Sequence, residues 1–327
     1  MKNARVTVFG GSGFIGRYIV QRLARQGAIV RVAVRDIEAA QFLKPMGDVG
    51  QVVPVKADLR DEDAIARAVE GVDAVVNAVS LYVERGKLKF SDIHEVGARN
   101  VARAAAAAGV GRLVHISGIG ADKRAESRYA QSRFIGDRLV REAFAEATFI
   151  KPSIVFGAED TFFNTLANFA RLSPVLPLFG VRRIERPPFV DGGFTRLQPV
   201  YVGDVADAAA ACLEREDARG KTYELGGPSV YSYRELCEIV LRETGRRSLL
   251  VPWPFWVAMV NAWFLKMLPN PPLTPDQVRL LKRDNVVTAK APGLADLGIA
   301  PTALEVVVPA YLARYSRGGR AQATRLA

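Results

Sequence analysis

The stretch Val6-Thr-Val-Phe-Gly-Gly-Ser-Gly-Phe-Ile-Gly-Arg17 determines how this chain folds. An apolar run rich in β-branched residues ends at Gly10, and Gly13 and Gly16 precede a helical pattern that continues to Arg25. Gly10 permits a tight turn, Gly13 leaves no Cβ between the backbone and a bound pyrophosphate, and Gly16 allows close helix packing. A strand, a glycine turn and a helix N-terminus together predict a dinucleotide site. The residues expected at its phosphates are Gly10, Gly13, Phe14, Ile15 and Gly16.

Strand-like and helix-like segments alternate from this stretch to residue 151. After the first strand, the predicted strands are Ile29–Val34, Val52–Val55, Ala74–Val79, Arg112–Ile116 and Thr148–Lys151. The predicted helices include one capped by Asp61 that runs through Val69, one over Ser91–Ala108 and one over Tyr129–Phe144. Near-continuous apolar strands separated by helices are typical of a parallel sheet covered on both faces. We therefore predict an α/β fold, a doubly wound parallel sheet of Rossmann type with a smaller C-terminal lobe.

The second half of the chain has a different pattern. Proline and aromatic residues are dense over residues 174–188, and short strand-like and helical patterns are mixed. These patterns are strands at 198–202 and 222–225 and helices at 205–215 and 233–243. We predict a nucleotide-binding domain over residues 1–155, to which about 198–215 returns, and a mixed C-terminal lobe over residues 156–327.

The end of the second predicted strand favours one cofactor. NAD-selective folds place an acid there for the ribose 2′-hydroxyl, whereas an arginine suits a 2′-phosphate. Arg35 comes first at this position, and Arg17 can supply a second guanidinium. Asp36 lies one residue later and can instead cap the next helix. The sequence therefore favours NADPH or NADP over NAD. After the third and fourth strands, the residues expected along the dinucleotide, although each also suits a turn, are Asp58, Leu59, Asn77, Ala78 and Val79.

The composition is that of an ordinary globular protein of 327 residues, 49% hydrophobic and 24% charged. Cys212 and Cys237 form no CxxC pair, which argues against a disulfide framework or a zinc site and favours a reducing compartment. With only His94 and His115 and no acidic cluster, we expect no metal site. The chain reaches its first strand within a few residues, so we expect neither a secretory signal nor export.

The formal net charge of +11 indicates an anionic partner or surface. The basic residues form no recognition helix interleaved with aromatic residues, which argues against nucleic acid. We expect a docking surface for an acidic protein or an anionic membrane, and a solvated tail is the alternative. The local excess of positive charge near the end of the chain consists of Arg314, Arg317, Arg320 and Arg325.

Residues 249–268 are a second candidate for docking. They carry a single charge, Lys266, over a length close to that of a membrane span. Pro252 and Pro254 delay the helix to about Phe255, which leaves too few residues to cross a bilayer. Trp253, Trp256 and Trp263 suit a helix at a membrane interface or against a hydrophobic partner. The alternative for this helix, about 253–268, is a place in the core of the C-terminal lobe.

Several motifs resemble the extended or atypical short-chain dehydrogenases/reductases. They are Gly10-Gly-Ser-Gly-Phe-Ile-Gly16, Asp58-Leu59, Val114-His-Ile-Ser117, Tyr129 with a basic residue four positions later, and Lys151-Pro-Ser-Ile-Val-Phe-Gly157. More narrowly, six stretches are similar to the group of the 39 kDa accessory subunit of respiratory complex I and its bacterial relatives, namely 129–136, 151–153, 156–160 with 162–164, 199–204, 273–279 and 293–298. The further cofactor contacts that the resemblance implies are Ser117, Tyr129, Arg133, Lys151, Pro152 and Ser153.

The resemblance also implies a set of catalytic positions. A hydride-transferring member uses a tyrosine as acid and base, a lysine four residues later and a serine that orients the carbonyl. Tyr129 and Ser117 stand at the first and third positions, but Arg133 replaces the lysine, and a planar guanidinium is a poor substitute for a compact ammonium. Ile119 stands where the working hydroxyl is often found, and His94 where asparagine is frequent. These departures predict a dinucleotide that is held but turned over poorly or not at all.

The resemblance implies an accessory subunit of NADH:ubiquinone oxidoreductase whose partners are the other complex I subunits. Its expected location is peripheral, on the cytoplasmic face of a bacterial inner membrane or the matrix side of the mitochondrial one. NADP(H) is then a structural or regulatory ligand, because the chain has no flavin or iron–sulfur ligand set that could pass electrons on. The alternative is a free-standing NADPH-dependent reductase or epimerase, and a third hypothesis is an NADPH-sensing or assembly protein that visits the complex transiently.

Overall fold

The structure, a computed structural model, describes residues 1–183, 190–268 and 271–316. Its strands are β1 (Arg5–Phe9), β2 (Ile29–Val34), β3 (Val52–Lys56), β4 (Ala74–Asn77), β5 (Arg112–Ile116), β6 (Thr148–Pro152), β7 (Val155–Phe156), β8 (Val175–Phe179), β9 (Val181–Arg183), β10 (Val190–Gly192), β11 (Arg196–Leu197), β12 (Val200–Tyr201), β13 (Thr222–Leu225), β14 (Tyr231–Ser232) and β15 (Leu249–Trp253). Its α-helices are α1 (Phe14–Arg25), α2 (Glu62–Val69), α3 (Ala98–Ala107), α4 (Arg128–Ala143), α5 (Phe162–Leu172), α6 (Val202–Glu214), α7 (Tyr233–Thr244), α8 (Phe255–Leu265), α9 (Pro275–Leu280) and α10 (Leu304–Leu312). A π-helix covers Ser91–Gly97, and short 3-10 helices cover Glu38–Met46, Glu216–Ala218, Ala295–Leu297 and Ala313–Tyr315.

Seven parallel strands form the main sheet, in the order β13-β6-β5-β4-β1-β2-β3. Every residue of β4 is buried, and so are the last four residues of β1, which explains their continuous apolar sequences. The strand order reverses between β1 and β4. In sheets of this kind a ligand binds beyond the carboxyl ends of the strands at such a reversal. The predicted α/β doubly wound fold is confirmed.

Helices cover both faces of this sheet. Helices α1 and α6 pack together, whereas α2, α3 and α4 pack side by side. Since right-handed crossovers lead in opposite directions from β1 and from β4, these two groups lie on opposite faces. Under the second group, Val75 and Phe149 of the sheet share one buried cluster with small helix residues such as Ala102 and Ala105.

The chain divides into two compact units. The first comprises residues 1–152, 202–225 and 288–300 and carries the sheet. The described part of the second comprises residues 153–183, 190–201, 226–268, 271–287 and 301–316. In the second unit, short strands pair in twos, β7 with β12, β8 with β15, β9 with β10 and β11 with β14. The domain limits predicted from the sequence, at about residue 155 and over 198–215, stay a prediction.

Two elements differ most from the sequence prediction, and the strand predicted over Ala74–Val79 ends two residues early, at Asn77. The helix expected over Ser91–Ala108 begins as the π-helix and becomes α-helical only at Ala98. Its wider turn is matched by Gly136 of α4, where a Cβ would lie 1.9 Å from the carbonyl oxygen of His94. The strand expected over 198–202 is only the two residues of β12, because β7 pairs with no more of it, and α6 starts at Val202 rather than at residue 205.

Two observations bear on the docking predictions. Within the described ranges, no helix is both long and apolar enough to cross a membrane. Arg314 is engaged inside the second unit, where it donates to the carbonyl oxygen of Ala158 at 2.9 Å and to the side chain of Asn164. Arg317, Arg320 and Arg325 lie outside the described residues.

Candidate functional site

The glycine turn joins β1 to α1 where the strand order reverses. Gly10 has a φ of +75°, and a Cβ there would lie 3.0 Å from backbone atoms of Ala78 and Val79, which follow β4. A Cβ on Gly16 would lie 2.1 Å from the carbonyl oxygen of Gly10. The turn therefore requires glycine at Gly10 for its conformation and at Gly16 for close packing.

The N-terminus of α1 is open to an anion. Gly13 is the N-cap and has no side chain, and the first turn of the fully described helix α1 contains no acid. The positive end of this 12-residue helix is therefore not neutralised from within. A Cβ on Gly13 would lie 3.1 Å from the carbonyl oxygen of Gly10 and would narrow the cradle. These features fit a pyrophosphate.

Cationic side chains surround the end of β2. The guanidinium of Arg17 lies 5.0 Å from the ring centre of Phe42 and donates to the carbonyl oxygens of Ser12 and Gly13, both at 3.2 Å. Arg35 is exposed directly after β2. Asp36 instead accepts a hydrogen bond from the backbone N–H of Ala39 at 3.1 Å, as expected of a capping residue. Oδ1 of Asp36 is therefore engaged in capping the turn after β2.

The carboxylate of Asp58, expected beside the adenine, is paired. It accepts from Nε of Arg60 at 2.9 Å and from its Nη2 at 2.6 Å. The hydrogen bond from Arg60 holds the pKa of Asp58 below its ordinary value, and the charge of Arg35 acts in the same direction. The neighbouring Leu59 is buried, and its carbonyl oxygen accepts from Asn100 at 3.3 Å. Arg60 therefore neutralises the carboxylate of Asp58.

The end of β4 forms a second wall of the site. Asn77 is buried, and its Oδ1 accepts from the backbone N–H of Val79 at 3.2 Å, while the N–H of Ala78 donates to the carbonyl oxygen of Phe9 at 3.0 Å. Ser80 follows and accepts from Arg133. The segment is thus fixed against both the glycine turn and α4.

Arg133 is 4% exposed and makes three hydrogen bonds inside the first unit. Its Nε donates to the hydroxyl of Tyr129 at 3.3 Å, its Nη1 to the carbonyl oxygen of Ile116 at 3.0 Å and its Nη2 to Ser80 Oγ at 2.9 Å. Burial opposes its charge, but the tyrosine hydroxyls and Asp137 nearby outweigh that effect, and the pKa of Arg133 is raised. Arg133 is a buried cation that ties α4 to the ends of β4 and β5.

The ring of Tyr129 lies on a buried histidine. Its centre is 5.2 Å from that of His94, edge to face, and 5.7 Å from that of Tyr82, stacked. Nε2 of His94 accepts from the N–H of Leu81 at 3.0 Å, so Nδ1 carries the proton and donates to Ser132 Oγ at 2.9 Å. Burial and the nearby charge of Arg133 lower the pKa of His94 to about 2. This imidazole is neutral and supports Tyr129 without supplying protons.

Ser117 directly follows β5 and is 4% exposed. Among the described residues its Oγ has no hydrogen-bond partner, although its backbone N–H donates to the carbonyl oxygen of Ile150 at 2.8 Å. A buried hydroxyl normally has a partner. Ser117 is therefore suited to a hydrogen bond with a bound molecule.

Comparison with known proteins identifies the family. A family model described as NAD(P)H-binding matches residues 10–155. The chain is 36% identical over 326 residues to NADH dehydrogenase (ubiquinone) 1 alpha subcomplex subunit 9, mitochondrial, of Arabidopsis thaliana, covering 96% of this chain and 78% of the relative. The subunit of the same name from Mus musculus is 35% identical over 306 residues, covering 92% and 77%. The chain belongs to this subunit family.

A solved structure of another protein has a similar fold. Triphenylmethane reductase of Citrobacter sp., complexed with NADP(H), has a TM-score of 0.72 to this chain and covers 94% of it and 99% of its own length, at 20% identity. Such a likeness shows the fold alone. Together with the family model, the site identifies the first unit as a NAD(P)H-binding domain.

The residues at the end of β6 that were expected to contact the cofactor each contact a different part of the chain. Nζ of Lys151 lies 2.8 Å from Oδ2 of Asp137 on α4. Asp137 Oδ1 lies 3.7 Å from Nε2 of His115, and burial lowers the pKa of His115 to about 4, which agrees with a core histidine. The carbonyl oxygen of Pro152 accepts from the N–H of Ile119 at 3.1 Å. Ser153 belongs to the second unit, where its Oγ donates to the carbonyl oxygen of Asn285 at 2.8 Å.

The structure adds site residues that sequence reasoning missed. Ser80 follows the predicted segment 77–79 directly, and Arg60 stands two residues after Asp58, so sequence position alone could have suggested both. Phe42 carried no such signal, because it reaches Arg17 from the segment after β2. Asp137 lies on α4 four residues after Arg133, so helical spacing could have suggested it. In the part of the chain that the structure describes, no cluster of His, Cys, Asp or Glu could hold a metal ion.

Proposed function

We propose that this chain is an accessory subunit of NADH:ubiquinone oxidoreductase that holds NADP(H) as a structural or regulatory ligand. Relatives at 36% and 35% identity carry the name of a subunit of that enzyme and are aligned over most of their length. The partners proposed for this chain are therefore the other complex I subunits, and nucleic acid is not among them. Its proposed place is peripheral, beside the membrane on the cytoplasmic face in a bacterium or on the matrix side in a mitochondrion.

The proposed lack of catalysis rests on the hydrogen bonds that Arg133 makes. Bound NADPH would supply a hydride, and a lysine four residues after the tyrosine would lower the tyrosine's pKa and hold the nicotinamide ribose. Arg133 contacts the Tyr129 hydroxyl at 3.3 Å as a lysine would, but its Nη1 and Nη2 are engaged by Ile116 and Ser80 at 3.0 and 2.9 Å. We propose that Tyr129, Arg133 and Ser117 are a vestigial catalytic set that contacts the nucleotide.

We propose NADP(H) rather than NAD(H) because Arg35 directly follows β2 and the Arg17 guanidinium lies against Phe42 in the segment after it. Arg17 and Arg35 are the residues proposed to bind the 2′-phosphate, and Asp36 is used as a cap. The other proposed contacts to the dinucleotide are Gly10, Gly13, Phe14, Ile15, Gly16, Asp58, Leu59, Asn77, Ala78, Val79, Lys151, Pro152 and Ser153.

A second candidate function is a free-standing NADPH-dependent reductase or epimerase. It is favoured by the buried Ser117 hydroxyl, which has no partner among the described residues, together with the retained Tyr129. Gentle isolation from native membranes, with mass identification of co-purifying subunits and of any released dinucleotide, separates the two candidates. Complex I subunits with unreacted NADPH support the accessory role. A partner-free protein that returns NADP⁺ after exposure to cell extract identifies an enzyme.

Replacing Tyr129 by phenylalanine tests whether this site turns over. We expect the variant complex to retain its NADPH and to keep NADH:ubiquinone activity within about twofold of the parent, because electron transfer does not pass through this hydroxyl. Phenylalanine keeps the ring contacts with His94 and Tyr82. NADPH content and activity are measured on the isolated complex. A tenfold or larger loss of activity at unchanged NADPH content would assign Tyr129 a catalytic role.

Replacing Arg17 and Arg35 together by glutamine tests the cofactor assignment. Each hydrogen bond to a charged group contributes about 1.5–3 kcal/mol, so we expect at least a tenfold weaker affinity for NADPH and little change for NADH. Isothermal titration with both nucleotides is the measurement. Arg25→Gln, an exposed arginine at the opposite end of α1, is the matched control. Equal losses for the two nucleotides would refute 2′-phosphate recognition.

A further inference from the structure

Helix α8 of the second unit presents its largest apolar side chains outward. Trp256 is 70% exposed, Trp263 63% and Phe264 61%, whereas Ala258 and Ala262 are fully buried. Surface helices normally bury their large apolar residues and expose their small or polar ones. The pattern of α8 is the reverse. Because such an apolar face is costly to leave in water, a partner for it is expected.

The polar groups that this exposed face carries are hydrogen-bond donors. An indole contributes only an N–H group, and the ammonium of Lys266, which follows the helix, only donates. The half-buried Asn261 turns its amide group back on α8, where Nδ2 donates to the carbonyl oxygen of Val257 at 2.9 Å. Protein interfaces pair donors with acceptors across a polar rim. Asn261 keeps Oδ1 as an acceptor, but the indoles of Trp256 and Trp263 and the ammonium of Lys266 only donate. The outermost side chains of α8 therefore match a surface rich in acceptors.

The charge around α8 points in the same direction. Residues 243–284 contain six basic residues and three acids, Glu243, Asp276 and Asp284, which leaves a net charge of +3. Asp276 itself lies 3.7 Å from Arg279 on α9, the helix that packs against α8. The basic residues of this segment are Arg246, Arg247, Lys266, Arg279, Lys282 and Arg283. A surface that is negative and rich in acceptors would complement the segment.

We infer that α8 docks in the plane of an anionic phospholipid bilayer. Tryptophan, phenylalanine and lysine are residues that settle at the membrane interface, where the phosphates and ester carbonyls are acceptors. With 11 residues the helix is about 16 Å long, so it lies in the surface and does not cross it. Trp256, Trp263 and Phe264 enter the interface while Lys266 faces the phosphates. This inference rests on the proposed function, since it names the surface beside which the subunit sits.

Vesicle binding of the purified full-length chain tests the inference. Co-sedimentation is measured with neutral phosphatidylcholine vesicles and with vesicles that contain phosphatidylglycerol as well. We expect binding to the anionic vesicles, a shift of tryptophan emission to shorter wavelength, and loss of binding at high salt. Trp256→Ser with Trp263→Ser should weaken binding at least tenfold. The matched control is Val49→Ser with Val306→Ser, which removes two exposed apolar side chains elsewhere.

The outcomes separate this inference from the proposed function. Absent binding, equal binding to both vesicle types, or equal losses in the control would overturn it. If the double tryptophan variant fails to fold by circular dichroism, Lys266→Glu replaces it, since this exposed residue follows the helix and should still reduce anionic binding. A chain that ignores vesicles but co-purifies with complex I leaves the proposed function standing alone. A chain that binds anionic vesicles but does not co-purify with complex I supports the lipid-docking inference and refutes the proposed function.

Discussion

Replacing Arg133 by methionine is expected to lower the free energy of unfolding by about 3 kcal/mol. Loss of the buried hydrogen bond to the Ile116 carbonyl oxygen costs about 1–3 kcal/mol, and each lost hydrogen bond to the half-buried Tyr129 and Ser80 costs about 1 kcal/mol. Methionine keeps an unbranched apolar side chain and removes every donor. Three acceptors, the hydroxyl of Tyr129, the carbonyl oxygen of Ile116 and Ser80 Oγ, then lose their hydrogen bonds. Relief from burying a charge offsets part of this cost. Urea unfolding followed by circular dichroism gives the difference.

Two further variants test whether the planar guanidinium group of Arg133 is what stabilises the fold. Arg138→Met removes an exposed charge from the same helix, whose partner Glu142 lies 3.3 Å away, and should change stability by less than about 0.5 kcal/mol. Arg133→Lys keeps the charge but cannot reach three acceptors in a planar arrangement, so an intermediate loss is expected. If methionine at 133 costs no more than at 138, Arg133 is not a structural tie. The hydrogen bonds of Arg133 would then give no physical reason for the proposed lack of turnover at this site.

The main sheet could be predicted from sequence because each of its strands is marked by the residues within it and directly beside it. The strands at 29–34 and 112–116 were predicted at the bounds that the structure shows, since strands buried on both faces are continuous apolar runs between turns. The cap at Asp61 was predictable for the same reason, and its side chain accepts from the N–H of Ala64 at 2.9 Å. Asp36 likewise caps the turn that follows β2.

The features that the sequence did not reveal depend on contacts between distant segments. The π-helix at Ser91–Gly97 accompanies the close approach of Gly136, which is distant in the chain. The pairing of Lys151 with Asp137 joins a strand to a helix, and no spacing rule predicts it. Two-residue strands such as β12 are too short for an alternating hydrophobic pattern to be recognised in the sequence. The position of Arg133 in a helical sequence also suits a surface charge, and only its contacts with other segments show that it is buried.

Replacing Gly16 by alanine should have the largest effect of all on the nucleotide site. The new Cβ would lie 2.1 Å from the carbonyl oxygen of Gly10 and 2.7 Å from Cα of Gly11, both backbone atoms that no side-chain rotation can move. Helix α1 would have to shift away from the turn. We expect a loss of about 3 kcal/mol of stability, at the upper end for overpacked sites. NADPH affinity should fall by at least about 100-fold, which corresponds to about 2.7 kcal/mol. Urea unfolding and isothermal titration measure the two effects.

Gly13→Ala separates the packing of the turn from its role in binding. Its Cβ would meet only the carbonyl oxygen of Gly10, at 3.1 Å, and the backbone at Gly13 is extended, so stability should change by less than about 1 kcal/mol. The methyl group would nonetheless stand at the helix N-terminus where the pyrophosphate is proposed to bind, and NADPH affinity should fall sharply. Gly111→Ala, whose Cβ would have ordinary contacts, is the control for both measurements. Unchanged affinity in Gly13→Ala would place the phosphates elsewhere, because no ligand that lies on this helix end could avoid the added methyl group.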